Sequence, residues 1–281
     1  KRDGLCGGKG VIVQGVDFKT LDEVQDILLS EYPILIEEKL LGEDFSLMSI
    51  TDGNGSIRHF PPVKDYKRHL DGDLGPGGGS LGCLIDKNNS LPFLKADDIE
   101  LAQTINTKII HELNKNGKDL DKSIGYRGFL YGSYIKTNKG IKIIEYNSRL
   151  GDPEGIAALH LLENNFLEIC DEIASGDLTS HLYFSQKAII GVYCVPKSYP
   201  KPTSEKYDIY ISPKLNKTNL MYGAVEQTDE HLYSMSSRSL FYFVDGDDLP
   251  TCYNKIYNGL NGITGNLRFR TDIGSKYLTK L

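Results

Sequence analysis

A pair of polar side chains behind an apolar dipeptide could bind a metal ion. Ile143 and Ile144 predict the end of a buried strand, and Glu145 and Asn147 follow at alternate positions. Because alternate side chains of a strand share a face, we expect Glu145 and Asn147 to point the same way. Their carboxylate and amide oxygens suit Mg²⁺ held against nucleotide phosphates.

Two more functional groups follow within five residues. Arg149 and Asp152 could bind an anionic or amine-bearing substrate next to the metal pair. A polar strand end running into a Gly-Asp-Pro turn is the competing interpretation. Glu-x-Asn alone would favour that interpretation, so the assignment depends on the motifs elsewhere in the chain.

The first eleven residues predict a phosphate-binding loop. Glycines let backbone N–H groups approach phosphate oxygens, and lysine adds countercharge. The loop is not a Walker A motif, because Gly10 follows Lys9 where that motif needs Ser or Thr. A tight structural turn is an equal alternative. The residues that we assign to this loop are Lys1, Gly4, Gly7, Gly8, Lys9 and Gly10.

An acidic segment follows the apolar run 34–36, which predicts a second buried strand. Glu37 and nearby backbone groups could bind an adenine edge, and Glu43, just past a glycine, could bind ribose hydroxyls. A solvated acidic turn is the alternative for this segment on its own.

A charged stretch, 64–76, leads into a loop with six glycines from Gly72 to Gly82. Alternating charges usually indicate a solvated face. Here the glycine content favours a mobile substrate loop that would carry Asp65 and Lys67.

The remaining pattern predicts a mixed α/β chain. We expect a short strand at 11–13, a capping box at Thr20–Glu23, a hairpin over 46–60, a helix from Asp97, antiparallel strands at 129–135 and 141–146, an amphipathic helix over 159–174, and strands at 188–195, 207–211 and 240–244. Past about residue 187 the sequence changes to short predicted strands and turns rich in Tyr, Ser and Pro. We therefore expect two units, residues 1–187 and a smaller α/β or β-rich lobe, 188–281.

Composition restricts the class of protein. The 281 residues are 40% hydrophobic, which is enough for a sizeable core. A net charge of −6 without a basic stripe argues against nucleic acid as a partner. We expect no membrane partner, since no apolar run is long enough for a transmembrane helix. Five scattered cysteines without a Cys-x-x-Cys pair indicate a reducing compartment, and we expect a cytoplasmic protein.

The motifs in order resemble the ATP-grasp ligases and, more narrowly, the glycinamide ribonucleotide synthetase (phosphoribosylamine–glycine ligase) family. The matching blocks keep their order and spacing over nearly the whole chain. They are K-x-D-G-L-x-x-G-K-G-V at 1–11, E-E-x-L-x-G-E at 37–43, D-x-K-R with D-G-D-x-G-P at 65–76, G-x-L-Y-G at 128–132 with the tyrosine at Tyr131, E-Y-N-x-R-x-G-D-P-E at 145–154, and R-x-D-I-G at 270–274.

The resemblance implies an ATP-grasp fold, with most of its B and C subdomains, plus a small C-terminal lobe. It implies ATP and Mg²⁺ or Mn²⁺ as cofactors, and glycine and phosphoribosylamine as substrates of purine biosynthesis. Fusion to other purine-pathway domains is compatible with it. The implied roles are phosphate contact for Lys1 and the loop through Gly10, adenine contact for Glu37, Glu38, Lys39 and Leu40, ribose contact for Glu43, metal binding for Glu145 and Asn147, substrate binding for Asp65, Lys67, Arg149 and Asp152, and catalysis for Arg149 and Asp152.

Several positions depart from the family pattern. The family's G-P-N-T-G-G-M-G is altered at 77–81, its T-Q after G-D-P-E is Gly155-Ile156, and its N-G-G-R has become Ser236-Ser237-Arg238. We find no metal carboxylate on the strand at 129–135. These changes leave two alternatives: a related carboxylate–amine ligase with another acceptor, or a nucleotide-binding homologue without catalysis. Because Lys1 begins inside a motif, we also expect a fragment that is inactive unaided.

Overall fold

The computed structural model describes residue 1 and residues 10–30, 33–120 and 125–278. Fifteen strands are formed there: β1 Glu43–Asp52, β2 Ile57–Asp65, β3 Arg68–Leu70, β4 Leu74–Gly77, β5 Gly82–Ile85, β6 Arg127–Thr137, β7 Gly140–Asn147, β8 Ala188–Pro196, β9 Tyr207–Ile211, β10 Leu220–Tyr222, β11 Val225–Gln227, β12 Leu232–Ser234, β13 Leu240–Gly246, β14 Ile263–Gly265 and β15 Leu267–Arg268.

Five α-helices accompany these strands: α1 Gln25–Ser30, α2 Ala96–Leu120, α3 Glu154–Leu161, α4 Phe166–Ser175 and α5 Leu249–Leu260. Short 3₁₀ helices cover Leu21–Val24, Asp71–Asp73, Lys87–Asn89, Lys217–Asn219 and Ser275–Tyr277. No helix in the described ranges is both long and apolar enough to cross a membrane.

The main sheet has nine strands and runs in the order β10-β13-β8-β5-β2-β1-β6-β7, with β15 paired to β8. Its neighbouring strands are antiparallel. The predicted hairpins at 46–60 and 129–146 are confirmed as the pairs β1–β2 and β6–β7. Strand β7 is an edge, and it carries the polar pair of the predicted metal site.

Both faces of this sheet are buried, so the core has two layers. On β1, Phe45 and Leu47 join one cluster with α2 and α5, whereas Met48 and Ile50 join a second with α3 and α4. A register irregularity between Leu47 and Ser49 interrupts the pairing of β1 with β2. Two-sided burial explains why the central strands have nearly continuous apolar stretches, as at Ala188–Pro196, instead of strict alternation.

The helix predicted over 159–174 is two helices. α3 ends before Leu162, which is extended and pairs with Phe184, and Asn165 begins α4 by accepting a hydrogen bond from the Leu167 amide. The apolar spacing carries on through the break, so periodicity alone could not reveal it. The predicted end of this helical stretch, at residue 174, is confirmed to within one residue, because α4 ends at Ser175 and Gly176 adopts the left-handed C-cap conformation.

Two strands predicted near the start of the chain are wrong. Residues 11–13 form no strand, and neither do residues 34–36. Leu35 and Ile36 are 51% and 83% exposed. Leu35 shares backbone hydrogen bonds with Lys1, but no described strand extends this pairing into a ladder. An apolar run whose side chains stay exposed does not make a buried strand.

The predicted strands of the C-terminal part are confirmed as β8, β9 and β13. β8 and β13 belong to the main sheet, where β8 pairs with β5, and β9 belongs to a four-stranded sheet of order β11-β12-β9-β14. The division into units 1–187 and 188–281 stays a prediction, and sheet pairing crosses that boundary.

Candidate active site

Four side chains share one face of the β6–β7 pair, which we call the ladder face: Tyr131, Ser133, Glu145 and Asn147. Ser133 lies opposite Glu145, and Tyr131 lies opposite Asn147. Residues directly opposite in an antiparallel pair project from the same face. The Asn147 amide nitrogen is 3.4 Å from a Glu145 carboxylate oxygen, so the predicted common direction of this pair is confirmed.

The apolar residues before this pair are not a buried strand end, as the sequence had suggested. Ile143 is 44% exposed because β7 is an edge strand. The register shifts between Ser133 and Tyr134, so Ile144 has no partner in the ladder. This irregularity bends the strand just before Glu145, as bulges near active sites commonly do.

The donor set of the ladder face fits a hard divalent cation. Glu145 is exposed and Asn147 is half-buried, so both oxygens are accessible. In the described residues no group of three or more His, Cys, Asp or Glu side chains could hold a metal. Glu145 and Asn147 would therefore supply two ligands and leave the other positions to phosphate and water oxygens, which suits Mg²⁺.

Lys1 lies against β7, next to this pair. Its ammonium is 2.5 Å from the Glu37 carboxylate and 3.4 Å from the Ile144 carbonyl oxygen. The structure thus brings two predicted nucleotide contacts to the edge that carries Glu145. Lys39 instead donates to the Gln14 carbonyl oxygen.

The other predicted nucleotide contacts are divided between described and undescribed residues. Gly4, Gly7, Gly8 and Lys9 lie outside the described residues. Gly10, Glu38 and Leu40 are described, but Glu38 and Leu40 belong to a segment without regular structure. Their roles stay predictions.

Glu43 begins β1 and already has protein partners. Lys276 and Tyr277 donate to its carboxylate at 2.7 and 2.5 Å. Burial opposes ionisation, but these hydrogen bonds outweigh it and hold the pKa of Glu43 below its ordinary value. A ribose contact at Glu43 would have to compete with Lys276 and Tyr277.

A charged cluster lies over the ladder face, in which Asp65 and Glu154 are buried and the Lys67 side chain is 34% exposed. Lys67 donates to the Ser133 hydroxyl at 3.1 Å, and its ammonium is 3.5 Å from Asp65. Glu154, at the start of α3, accepts a hydrogen bond from the Tyr131 hydroxyl at 2.7 Å. In the described part of the chain, neither Asp65 oxygen nor Glu154 Oε2 has a hydrogen-bond partner. Buried acceptors of this kind suit an incoming donor such as an ammonium group.

The charge of Lys67 interacts both with the acids of this cluster and with Glu145 of the predicted metal pair. Burial alone would lower the pKa of Lys67, but the carboxylates of Asp65, Asp44, Glu154 and Glu145 raise it well above its ordinary value. Burial, followed by the charge of Asp65, raises the pKa of Glu154 to about 7. Lys67 therefore stays protonated, and it is the cation around which these acids are arranged.

The two predicted catalytic residues, Arg149 and Asp152, follow β7 closely in sequence but differ in how many hydrogen bonds hold their side chains. Arg149 is exposed and donates to the carbonyl oxygen of the adjacent Leu150 at 2.9 Å. Asp152 accepts from the Tyr193 hydroxyl at 2.6 Å and from Arg238 at 2.8 Å. Both Asp152 oxygens are occupied, so this geometry favours positioning over proton transfer. Its catalytic assignment stays a prediction.

Sequence reasoning gave no role to several of these residues. Glu154 and Tyr131 lie within the matching motifs, and Arg238 lies in the altered N-G-G-R motif, but the motifs assign none of them a role. Alternation on 129–135 could have shown that Tyr131 and Ser133 share a face, but only the strand register shows what they oppose.

Comparison with known proteins identifies the family. Residues 1–155 match the family model for the phosphoribosylglycinamide synthetase ATP-grasp (A) domain. Phosphoribosylamine–glycine ligases from Methanosarcina acetivorans and Methanocorpusculum labreanum are 34% and 35% identical. Each alignment covers 99% of this chain, but only 62% and 63% of the relative. The chain thus spans under two thirds of their length.

Solved structures agree with this match. Phosphoribosylamine–glycine ligase from Thermotoga maritima superposes with a TM-score of 0.80 at 25% identity, over 97% of this chain and 68% of that one. The biotin carboxylase subunit of pyruvate carboxylase, at 13% identity and a TM-score of 0.57 over 79% of this chain and 46% of that one, shows the shared fold alone. The fold is therefore that of the ATP-grasp proteins, as the sequence predicted, and the chain belongs to the phosphoribosylglycinamide synthetase family.

Proposed function

We propose that the protein containing this chain ligates glycine to 5-phosphoribosylamine, with ATP as the energy source. The products are glycinamide ribonucleotide, ADP and phosphate, and the intermediate is glycyl phosphate, as in de novo purine biosynthesis. Family membership supports the proposal. The observation that carries it is the ladder face, where the Glu145–Asn147 pair adjoins the Asp65–Lys67–Glu154 cluster through Ser133 and Tyr131.

The nucleotide is assigned to the β7 edge. Lys1 would contact its phosphates, together with the glycine loop through Gly10. Glu145 and Asn147 would hold Mg²⁺ or Mn²⁺, which supplies countercharge to the phosphates when bound. The segment from Glu37 to Leu40 would take the adenine, and Glu43 the ribose. The contact of Lys1 with Glu37 and with the Ile144 carbonyl supports this placement, because it brings that segment to the same edge.

The substrates are assigned to the charged cluster and the strand end beside it. The Asp65 oxygens face Lys67 but accept no hydrogen bond from the described residues, and they suit the amino group of glycine because a charge-assisted hydrogen bond would satisfy them. Lys67 and the exposed guanidinium of Arg149 suit a carboxylate or phosphate. Asp152, held by Tyr193 and Arg238, would orient the substrate from the opposite side of the turn.

The reaction then requires little covalent chemistry from the protein. A glycine carboxylate oxygen attacks the γ-phosphorus of ATP, and the bond to ADP breaks. The amine of phosphoribosylamine attacks the resulting acyl carbon, phosphate leaves, and the nitrogen releases one proton. Lys1 and Lys67 stabilise charge on the phosphoryl oxygens, and Asp65 orients the amino acid. Positioning and electrostatics of this kind account for much of enzymatic rate enhancement.

A coupled assay on the full-length natural protein tests the proposal. The mixture contains ATP, Mg²⁺, glycine and freshly generated phosphoribosylamine. We expect ADP release to require both glycine and phosphoribosylamine, and glycinamide ribonucleotide to accumulate in equal amounts. ADP release with a different amine acceptor would favour a related carboxylate–amine ligase. Binding of Mg-ATP without turnover on any acceptor would contradict the proposal.

A further inference from the structure

The chain between residues 268 and 277, which we call the clasp, is bonded to the turn that follows Lys67. Arg268 donates to the His69 carbonyl oxygen at 2.8 Å, and Asp272 accepts from the Gly72 amide at 2.8 Å. Thr271 donates through its amide and its hydroxyl to Asp71. These partners are about 200 residues apart in sequence, so the clasp brings a distant segment to the proposed substrate site.

Arg270 is the centre of the clasp and its most buried charge. Its side chain is 1% exposed. It makes a two-pronged bond to Asp272 at 2.8 and 2.7 Å, a bond to Asp73 at 2.9 Å and one to the Arg68 carbonyl oxygen at 2.9 Å. A planar guanidinium is suited to all of these contacts at once, whereas a lysine ammonium is not.

Tyr66 connects this arginine to the substrate cluster. The Arg270 guanidinium carbon lies 4.9 Å from the centre of the Tyr66 ring. The Tyr66 hydroxyl accepts a hydrogen bond from the Gly274 amide at 3.1 Å. Tyr66 stands between Asp65 and Lys67 in sequence, so its ring and backbone determine where both neighbours point.

We propose that Arg270 is a positioning residue that, through Tyr66 and the Arg68 carbonyl, holds Asp65 and Lys67 over the ladder face. The kinetic consequence of this rests on the proposed function, but the geometric consequence does not. Replacing the Arg270 guanidinium removes its contact with the Tyr66 ring and its hydrogen bond to the Arg68 carbonyl oxygen at the same time. The Lys67 ammonium then leaves Ser133 and Asp65, and the side chain becomes more exposed than its present 34%.

Arg268 supplies a matched control. It belongs to the same clasp and bonds the carbonyl oxygens of His69 and Tyr199 at 2.8 Å each. Within the described residues, no hydrogen bond or cation–π contact joins Arg268 to Tyr66. A purely structural clasp would respond alike to Arg268→Lys and Arg270→Lys, whereas the proposal assigns the effect on Lys67 to Arg270 alone.

Amine labelling of this chain with a slow acylating reagent, followed by peptide mass spectrometry, tests the geometry. We expect Arg270→Lys to speed labelling of Lys67 on the order of fivefold or more, with Arg268→Lys close to wild type. Lys136, which lies on β6 of the same sheet and pairs with Asp98 of α2, is the internal reference and should not change. Unchanged Lys67 labelling, equal responses to the two variants, or a parallel rise at Lys136 would each overturn the proposal.

Two further measurements keep the test decisive. If Arg270→Lys does not fold, Asp73→Asn removes only one partner of the guanidinium and should give a smaller change in the same direction. In the full-length natural protein, Arg270→Lys should raise KM for glycine about tenfold while KM for ATP stays the same. An equal rise in both KM values would contradict positioning of Asp65 and Lys67. Absence of glycine-dependent turnover in wild type would defeat the proposed function, but the labelling result would stand.

Discussion

The two sides of the candidate site are built very differently. On the nucleotide side, residues 33–41 have no regular structure, and Ile36 and Leu41 are largely exposed. On the substrate side, the ladder face lies in a nine-stranded sheet, where Tyr131 and Ser133 are buried and hydrogen-bonded to Glu154 and Lys67. The family motifs are equally recognisable on both sides. The sheet therefore preorganises the groups proposed to bind substrate, whereas the described groups proposed to bind the nucleotide depend on a few charged contacts.

The largest effect is expected where the two sides meet. Glu145→Ala should lower metal-dependent ATP turnover in the full-length natural protein on the order of a thousandfold, because a lost metal ligand removes several kcal/mol of charge stabilisation. The fold should persist, since Glu145 is exposed at the sheet edge. Steady-state ADP release, with circular dichroism to verify folding, measures this.

An exposed glutamate away from the site provides the control. Glu112 lies on α2 and is exposed, so Glu112→Ala should keep turnover within about twofold of wild type. A folded Glu145→Ala protein with near-normal turnover would show that the ladder face does not hold the metal.

The next effect is on stability and concerns Gly42, where the irregular segment 33–41 meets the start of β1. A Cβ atom at Gly42 would lie 2.0 Å from the backbone oxygen of Lys136, so only glycine lets this chain pass beside β6. Gly42→Ala should cost about 2 kcal/mol in free energy of unfolding, as overpacking against backbone does. Gly77 has open space around it, and Gly77→Ala should change stability by at most about 0.5 kcal/mol. Urea unfolding of this chain measures both, and equal costs would contradict the close approach.

The difference between the two sides also explains which elements could be predicted. Hairpins and helices that have a partner layer showed their apolar pattern clearly, as at β1–β2 and α2. The pattern at 34–36 was equally apolar, yet no described strand pairs with it. The break at Leu162 was missed for the opposite reason, since apolar spacing continues through it. Periodicity reports which residues prefer burial, but not whether a neighbouring element buries them.

Within the site, local geometry was predictable and distant contacts were not. The shared direction of Glu145 and Asn147 follows from strand alternation. The partners of Asp152, Glu43 and Tyr66 are Arg238, Lys276 and Arg270, which lie 86 to more than 200 residues away. No local pattern relates such residues. The only signals were their residue types and, for Arg270 and Arg238, their places in the R-x-D-I-G motif and in the altered N-G-G-R motif.

A smaller effect should appear in the pH dependence of stability. Folding raises the pKa of Glu154 from 4.5 to about 7, because burial and the Asp65 charge disfavour its carboxylate. Between these values the folded chain holds a proton that the unfolded chain has lost, so this group destabilises the fold as pH rises through the window. Glu154→Gln removes the ionisation. It should therefore raise stability at pH 8 by about 1–2 kcal/mol and change it little at pH 5.

Urea unfolding of wild type and Glu154→Gln at several pH values measures this difference. Glu168→Gln on α4 is the matched control, because it is the same substitution at a glutamate that is exposed to solvent. A gain in stability that is the same at pH 5 and pH 8 would mean that packing, not the charge on Glu154, is responsible.

The smallest expected effect is on Mg-ATP binding and concerns Glu43. Two residues of the clasp occupy the Glu43 carboxylate and would compete with the proposed ribose contact. Lys276 and Tyr277 hold the Glu43 carboxylate, and Lys276 is 66% exposed, so the pair contributes little to stability. Replacing both, as Lys276→Met with Tyr277→Phe, should free Glu43 and tighten Mg-ATP binding about two- to threefold, which corresponds to about 0.5 kcal/mol. Titration calorimetry on this chain measures the change, and the same double variant combined with Glu43→Gln should lose the gain. Unchanged or weaker binding in the double variant would show that Glu43 does not contact the ribose, and that its only role is to anchor the clasp to β1.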